Sequence, residues 1–143
     1  MRVFRNDRLR DLDIDFAAPR AGDAGYDLYS IVDCSVAPGQ RALVDTGLHL
    51  EIPAGFVGLV KDRSSVASAG IHTLAGVIDS SYRGELKIVL ANLGVTQYQI
   101  RAGQKIAQLL LVPVHIEAIE YVESPNDLSA SARGADGFGS TGD

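Results

Sequence analysis

The first candidate for chemistry in this sequence is an aspartate in residues 76–85, GVIDSSYRGE. Asp79 follows two aliphatic residues, Val77 and Ile78, of the kind that is usually buried. A carboxylate partly removed from water there would be a stronger base than a surface Asp and could activate a water molecule. In the alternative interpretation Asp79 only caps its own turn, and for an isolated Asp-x-x-Tyr that alternative is favoured.

A candidate anion site lies in residues 63–70, RSSVASAG, the one stretch that predicts a helix. Ser64 or Ser65 could cap its start, and Gly70 would end it. The free N–H groups of a helix start, the helix dipole and the guanidinium of Arg63 together suit a phosphate. A simple N-cap with a solvated Arg nearby explains the same residues equally well.

A third candidate is Asp27, in residues 23–30, DAGYDLYS. Strand alternation sends its side chain to the face opposite Tyr26 and Leu28. If those two residues belong to the core, Asp27 faces a cleft or solvent and could hold Mg²⁺ through water molecules. Taken alone, the solvent-facing interpretation is favoured.

The elements that must position these residues are short apolar segments separated by turn signals about every 8–12 residues, a pattern that predicts an all-β sandwich or barrel. Residues 42–52 alternate, with Leu48, Leu50 and Ile52 on one face. Further strands are predicted over residues 56–60, 85–93, 109–112 and 116–123, the last against a competing helical spacing. Residues 76–85 predict a tight hairpin that turns at its two serines.

Composition excludes several classes of protein. The net charge of −5 argues against a nucleic-acid surface, and the apolar run 106–116 is far shorter than the ~20 residues of a membrane helix. The charged start shows no secretion signal, and a single cysteine, Cys34, fits a reducing cytoplasm. The three histidines match no zinc spacing. We therefore expect a cytoplasmic protein that binds neither membranes nor nucleic acid.

The last 20 residues predict a flexible arm, because they are rich in Gly and Ser and carry one aromatic residue, Phe138. Residues 137–142 formally match G-x-G-x-x-G, but no strand precedes them and no helix can follow, which argues against a dinucleotide site. Arg133, Ser140 and Thr141 offer donors for a phosphate. A lid over a ligand and a frayed tail remain equal interpretations.

Five stretches, in fixed order, resemble the motifs of the trimeric all-β dUTP diphosphatases (dUTPases). They are AGYDLYS (24–30), DRSSVASAG (62–70), GVIDSSYRGE (76–85), GQKIAQLLL (103–111) and RGADGFGSTG (133–142). The resemblance implies a distorted jelly roll or β-barrel of the β-clip type over residues 1–123, with one short helix, and a flexible arm over residues 124–143 that closes the active site.

The resemblance also implies an activity, the hydrolysis of dUTP to dUMP and pyrophosphate, which keeps uracil out of DNA and supplies dUMP for thymidylate synthesis. Asp79 would orient and deprotonate the water that attacks the α-phosphorus. Tyr82 would pack under the deoxyribose and leave no room for a 2′-hydroxyl. Asp27 would hold the Mg²⁺ cofactor through water, and each active site would be assembled from three subunits of a homotrimer.

The implied substrate contacts fall into three groups. The phosphates would be bound by Arg63, Ser64, Ser65 and Gln108. The uracil would be bound around Thr73, Val77, Ile78 and Lys87, mainly by backbone groups. The arm would close over the γ-phosphate and the base with Arg133, Phe138, Ser140 and Thr141.

Three positions depart from the family's usual pattern. Asp62 stands where motif two usually has Pro, and it could either pair with Arg63 or repel the triphosphate. Thr73 stands where some members have a uracil-binding Asn. Asp136 stands where Gly is common in the arm, which would weaken closure slightly.

Two other functions compete with this interpretation. The dCTP deaminases share the fold but use a Glu on the strand after the hairpin, where this chain has Val89, which cannot move protons. A nucleotide-binding or regulatory trimer without activity is the non-enzymatic alternative. The presence of Asp79, Gln108 and a complete arm counts against it.

Overall fold

The computed structural model describes residues 1–132 and 134, and within them the chain forms ten strands, two short α-helices and one 3₁₀ turn. The strands are β1 (Arg2–Arg5), β2 (Tyr26–Tyr29), β3 (Cys34–Val36), β4 (Arg41–Glu51), β5 (Phe56–Lys61), β6 (Ile71–Leu74), β7 (Val77–Ile78), β8 (Glu85–Asn92), β9 (Tyr98–Ile100) and β10 (Lys105–Pro113). The helices are α1 (Asp7–Asp11) and α2 (Ser64–Ser68), and the 3₁₀ turn spans Pro125–Asp127.

The strands form two four-stranded sheets with orders β1-β4-β8-β6 and β2-β10-β5-β7, and β3 pairs with β9. Among residues 1–132 and 134 all pairings are antiparallel, and neither sheet closes into a barrel. Buried side chains from both four-stranded sheets, among them Ile88 and Leu109, share one hydrophobic cluster. The predicted all-β, jelly-roll-like architecture is confirmed.

The alternation predicted for the long strand β4 is also confirmed. Leu48 and Leu50 are buried, as is Ile52 just beyond the strand. The β4–β8 register shifts between Asp45 and His49, where Gly47 has a φ of +70°. A side chain at Gly47 would lie 2.5 Å from Oδ1 of Asn6, so glycine is required here for two reasons.

The prediction of a tight hairpin over residues 76–85 is wrong. β7 pairs with β5 in one sheet, whereas β8 lies between β4 and β6 in the other. The segment is instead a turn that crosses between the sheets, closed by a hydrogen bond of 3.1 Å from the Tyr82 N–H to the Asp79 carbonyl. Gly58 on β5 explains the pairing, because a side chain there would crowd Ile78.

The predicted helix exists, but its cap differs from the prediction. α2 begins after Arg63, whose side chain makes no capping hydrogen bond, so Ser64 and Ser65 lie in the first turn. Gly70 follows the helix with a φ of +82°, as predicted for the residue that ends it.

The expectation of a single helix was incomplete. The structure adds α1, capped by Asn6, whose Oδ1 accepts a hydrogen bond of 3.0 Å from the Leu9 N–H. The Leu9 side chain is buried in the core.

The strand predicted over residues 116–123 is wrong. After β10 ends at Pro113 the chain follows an irregular path through residue 122. Ile116 and Tyr121 are 87% and 90% exposed, so within the described residues this segment has no strand to pair with and no core to cover it. No helix in the part of the chain that the structure describes is long and apolar enough to cross a membrane.

Candidate active site

The larger cavity, of about 800 Å³, gathers the residues expected to bind phosphate. Its polar lining includes Asp27, Arg63, Ser64, Ser65 and Gln108. Residues absent from the sequence-based set also line it, namely Asp15, Arg20, Asp23, Tyr29 and Lys105. The cavity is therefore polar and carries three cations, two of which the sequence analysis did not assign.

Asp27 lies between two of these cations. Its Oδ1 is ion-paired with Arg63, and its Oδ2 lies 2.6 Å from Nζ of Lys105. The alternation predicted for β2 is confirmed, because Leu28 is fully buried and Tyr26 packs against the core while Asp27 faces the cavity. The carboxylate thus neutralises and orients two groups that suit an anionic ligand.

A β-bulge in β10 brings Lys105 into this site. Residues three apart in a regular strand point to opposite faces, yet Lys105 and Gln108 line the same cavity. The register with β2 shifts between Lys105 and Ala107, and both Ile106 and Ala107 are fully buried. The extra residue of the bulge re-aims Lys105 toward the cavity. Two consecutive apolar residues, Ile106 and Ala107, between Lys105 and Gln108 are the sequence signal that could have revealed the bulge.

Gln108 is held in place by backbone groups. Its Nε2 donates a hydrogen bond of 2.8 Å to the carbonyl of Asp62. A side chain at Gly25 would lie 2.6 Å from Oε1 of Gln108, so the glycine leaves the space that the amide occupies. Gln108 therefore has one defined orientation at the edge of the cavity.

Asp62 does not pair with Arg63, contrary to one of the two expectations for this position. Its Oδ1 accepts hydrogen bonds from the N–H and the hydroxyl of Thr73, at 2.7 and 2.6 Å, and its Oδ2 lies 2.6 Å from Nδ1 of His72. Partial burial opposes ionisation of Asp62, but the hydrogen bonds from Thr73 and His72 outweigh it, and the pKa of the carboxyl lies below its ordinary value.

A second cavity, of about 250 Å³, gathers the residues expected at the sugar and base. It is lined by Val77, Ile78, Asp79, Tyr82 and Lys87, together with Glu85 and Leu86. The Tyr82 hydroxyl donates a hydrogen bond of 2.9 Å to the carbonyl of Glu85, and a side chain at Gly84 would overlap the Tyr82 ring. The ring is thus held at its hydroxyl end and forms a flat wall of the cavity.

The charged groups of this smaller cavity lie at the surface of the chain. Lys87 Nζ lies 2.9 Å from Oδ1 of Asp45. The hydrogen bond to Asp45 and the negative charge of that carboxylate together raise the pKa of Lys87. Asp79 is exposed, so the expectation that it is partly removed from water is not met within the single chain. Val77, beside it, is 66% exposed.

The chain by itself keeps the two groups of residues apart. Asp79 and Tyr82 line one cavity, Arg63 and Gln108 line the other, and no residue of the described chain lines both. Thr73 lines neither, and its N–H and hydroxyl are engaged by Asp62, so its contact with uracil stays a prediction. The predicted arm residues Arg133, Phe138, Ser140 and Thr141 lie outside the described residues.

Comparison with known sequences identifies relatives along most of the chain. A family model described as dUTPase matches residues 14–142. The chain is 42% identical over 142 residues to the deoxyuridine 5′-triphosphate nucleotidohydrolase of Corynebacterium jeikeium, covering 94% of this chain and 92% of that protein. It is also 42% identical over 130 residues to the protein of the same name from Solibacter usitatus, covering 89% and 86%.

Solved structures give the same result. The dUTPase of Staphylococcus bacteriophage 80alpha with dUPNHPP superposes with a TM-score of 0.85 at 29% identity, covering 99% of this chain and 97% of that one. A variant dUTPase from phage phi11 of S. aureus, described with a structural Mg(II) ion, superposes with a TM-score of 0.76 at 27% identity, covering 86% and 96%. With a matching family model, close relatives and a shared fold, the chain belongs to the dUTPase family.

Proposed function

We propose that this protein hydrolyses dUTP to dUMP and pyrophosphate by attack of an Asp79-activated water on the α-phosphorus. The observation that carries the proposal is the complementary chemistry of the two cavities in a chain of this family. One is polar and holds the cations Arg63 and Lys105, which suit a triphosphate, and the other places a carboxylate beside an aromatic wall. Phosphoryl chemistry asks the protein mainly for positioning and charge neutralisation, with one base to aim the nucleophile.

In this mechanism the larger cavity binds the triphosphate. Arg63 and Lys105 supply positive charge, and Ser64, Ser65 and Gln108 supply neutral donors. Before substrate binds, Asp27 balances both cations, so they are already oriented. Substrate oxygens then replace the carboxylate as their partner, which limits the reorganisation needed on binding.

The smaller cavity binds the nucleoside in the same mechanism. The anchored Tyr82 ring packs under the deoxyribose, and exclusion by shape rejects a 2′-hydroxyl more strongly than an apolar pocket would. Val77, Ile78 and Lys87 surround the uracil, with backbone groups binding its Watson–Crick edge. Thr73 would contribute only after its contacts with Asp62 are rearranged.

The residues of the larger cavity fit Mg²⁺ only if the bound triphosphate and water molecules supply most of its ligands. Within the described residues no three His, Cys, Asp or Glu side chains gather in a cluster that could hold a metal. A single carboxylate, Asp27, together with waters and triphosphate oxygens supplies the hard oxygen ligands that Mg²⁺ prefers. When bound, the ion neutralises phosphate charge, and Asp27 would hold it through water.

We propose further that the active sites form in a homotrimer, where Asp79 of one subunit faces Arg63 and Gln108 of the next. The separation of the two cavities within one chain supports this, as does the exposed apolar segment that carries Ile116 and Tyr121. The third subunit would add its arm, with Arg133, Phe138, Ser140 and Thr141 over the γ-phosphate and base. A lone Cys34 and a substrate from the deoxynucleotide pool make the cytoplasm the expected compartment.

The test of the activity is pyrophosphate release from dUTP, dCTP, dTTP and UTP, each with Mg²⁺ and with a chelator. The expected result is fast, Mg²⁺-dependent release from dUTP alone. Ammonia from dCTP would assign the protein to deamination despite Val89. Binding of dUTP without turnover of any nucleotide would make it a binding protein on this fold.

The shared site is tested by mixing two inactive variants, Arg63→Ala and Asp79→Asn, after joint unfolding and refolding. If each site takes these residues from different subunits, random trimers regain about a quarter of the wild-type activity, because each contribution is intact half of the time. If both residues came from one chain, no mixture would recover activity. Refolding each variant alone provides the control.

A further inference from the structure

Asp62 occupies a junction between the phosphate-binding residues and strand β6. It follows β5 and directly precedes Arg63, and its side chain is 22% exposed. Its carboxylate binds Thr73 and His72 on β6, while its own carbonyl accepts the hydrogen bond from Nε2 of Gln108. One residue therefore contacts both the strand and a predicted phosphate ligand.

The contact with Thr73 provides a hydrogen-bond partner for a backbone N–H on the open edge of a sheet. β6 is the last strand of its sheet, and the Thr73 N–H points away from β8 toward the Asp62 carboxylate. An outward N–H on an edge strand needs a partner from elsewhere. A proline at position 62 would offer no side-chain acceptor, and an Asn at position 73 would offer no hydroxyl. Asp62 and Thr73 are thus the two ends of one contact.

A second hydrogen bond holds the same segment from its other end. The Val60 N–H donates to the carbonyl of Gly76 at 2.8 Å. Between these two contacts lies Ala75, whose φ of +57° is unusual for a residue with a side chain. Residues 60–62 and 73–76 are therefore tied at two points, and Asp62 supplies the tie nearer to Arg63.

We propose that Asp62 is a positioning residue for phosphate binding: its carboxylate fixes the β5–α2 connection on β6, so that Arg63 and Gln108 face the triphosphate. The inference rests on the proposed function. Asp62 acts through its neighbours and does not touch the substrate. Its carboxylate does so through three hydrogen bonds, two from Thr73 and one from His72.

The experiment compares Asp62→Ala, Asp62→Asn, Thr73→Val and the Asp62→Ala/Thr73→Val double variant, with Asp11→Ala on the exposed face of α1 as the matched control. Melting curves first establish that each is folded at the assay temperature. We expect Asp62→Ala to raise KM for dUTP about tenfold with kcat within about threefold, because the hydrogen bonds that it removes serve binding. Asn keeps the acceptor oxygen, so Asp62→Asn should stay within about threefold in KM.

Thr73→Val should raise KM about threefold, since it removes the hydroxyl, one of the three donors to the Asp62 carboxylate, and the double variant should be no worse than Asp62→Ala alone. Thr73→Val also serves if Asp62→Ala does not fold. An unchanged KM in folded Asp62→Ala would overturn the proposal. So would an Asp62→Asn variant as impaired as Asp62→Ala, because the effect would then come from charge.

A binding readout separates this inference from the proposed function. Calorimetry with inorganic triphosphate and hydrogen exchange of the Thr73 amide require no turnover. If the wild type failed to hydrolyse dUTP, the proposed activity would be rejected. The inference about Asp62 would then stand only if Asp62→Ala lost affinity for inorganic triphosphate while the Asp11→Ala control kept it. Faster Thr73 exchange with unchanged triphosphate affinity would reduce Asp62 to a purely structural role.

Discussion

Lys105 and Gln108 face the same cavity although they lie three residues apart in one strand. The bulge at Ile106 and Ala107 produces this arrangement, because it buries two consecutive residues and turns the side chain before them toward the polar side. Lys105 thereby joins Arg63 on the carboxylate of Asp27.

Replacing Lys105 with Met should raise KM for dUTP about tenfold, since a charged donor to phosphate is lost while the aliphatic stem remains. Initial rates over a range of dUTP concentrations measure the effect. Lys61→Met is the matched control, because Lys61 ends β5 and lines neither described cavity. Equal KM values for the two variants would remove Lys105 from the phosphate site.

Replacing Asp79 with Asn should keep affinity for a non-hydrolysable dUTP analogue within about tenfold but abolish nearly all turnover, because the amide cannot accept the proton of the attacking water. Calorimetry gives the affinity and pyrophosphate release gives the turnover. Asp11→Asn, at an exposed position of α1, should change neither quantity. Retained turnover would exclude Asp79 as the base.

Replacing Gly84 with Ala should weaken discrimination against UTP. The new methyl group would meet Cε2 of Tyr82 at 2.9 Å, so the ring must leave its anchored position. The ratio of kcat/KM for dUTP and UTP should fall about tenfold, as expected when an exclusion by shape is relaxed. Tyr82→Phe, which keeps the ring but loses the hydrogen bond to Glu85, should lie between wild type and Gly84→Ala.

Acid should remove the stabilisation that Asp62 provides. Because the pKa of Asp62 in the folded chain lies below its unfolded value of about 3.9, ionised Asp62 contributes stability above that pH and loses it as the pH falls through the folded pKa. Urea unfolding at fixed protein concentration should show wild type and Asp62→Asn differing at pH 7, and the difference should shrink as the pH falls below about 3.9. A difference that persists at low pH would contradict this linkage.

Local patterns predicted much of this fold because they depend on neighbouring residues. The alternation in β4 and the glycine that ends α2 follow from strand period and backbone freedom, and the structure has both. Such local patterns could not identify which strands pair with each other. Val77 pairs with Leu59 of β5 across a long sequence separation, and Glu85 begins a strand of the other sheet, so the predicted hairpin failed.

Part of the candidate site was also predicted, because its residues lie in short local patterns of the sequence. The expected phosphate ligands Arg63 and Gln108 meet in one cavity although they are far apart in the sequence, because β10 pairs with β5. Lys105 was missed because an ordinary strand period places it on the far face. The partners of Asp62 were missed because His72 and Thr73 reach it only through tertiary packing.

The turn from Asp79 to Tyr82 lies between β7 of one sheet and β8 of the other. The conformation of this turn therefore depends on the distance between the sheets, and the core side chains between the sheets set that distance. Trimming a core residue such as Ile88 or Leu109 would let the sheets settle closer and would tilt the carboxylate and the aromatic wall without touching either. In this chain core packing therefore also sets the positions of Asp79 and Tyr82.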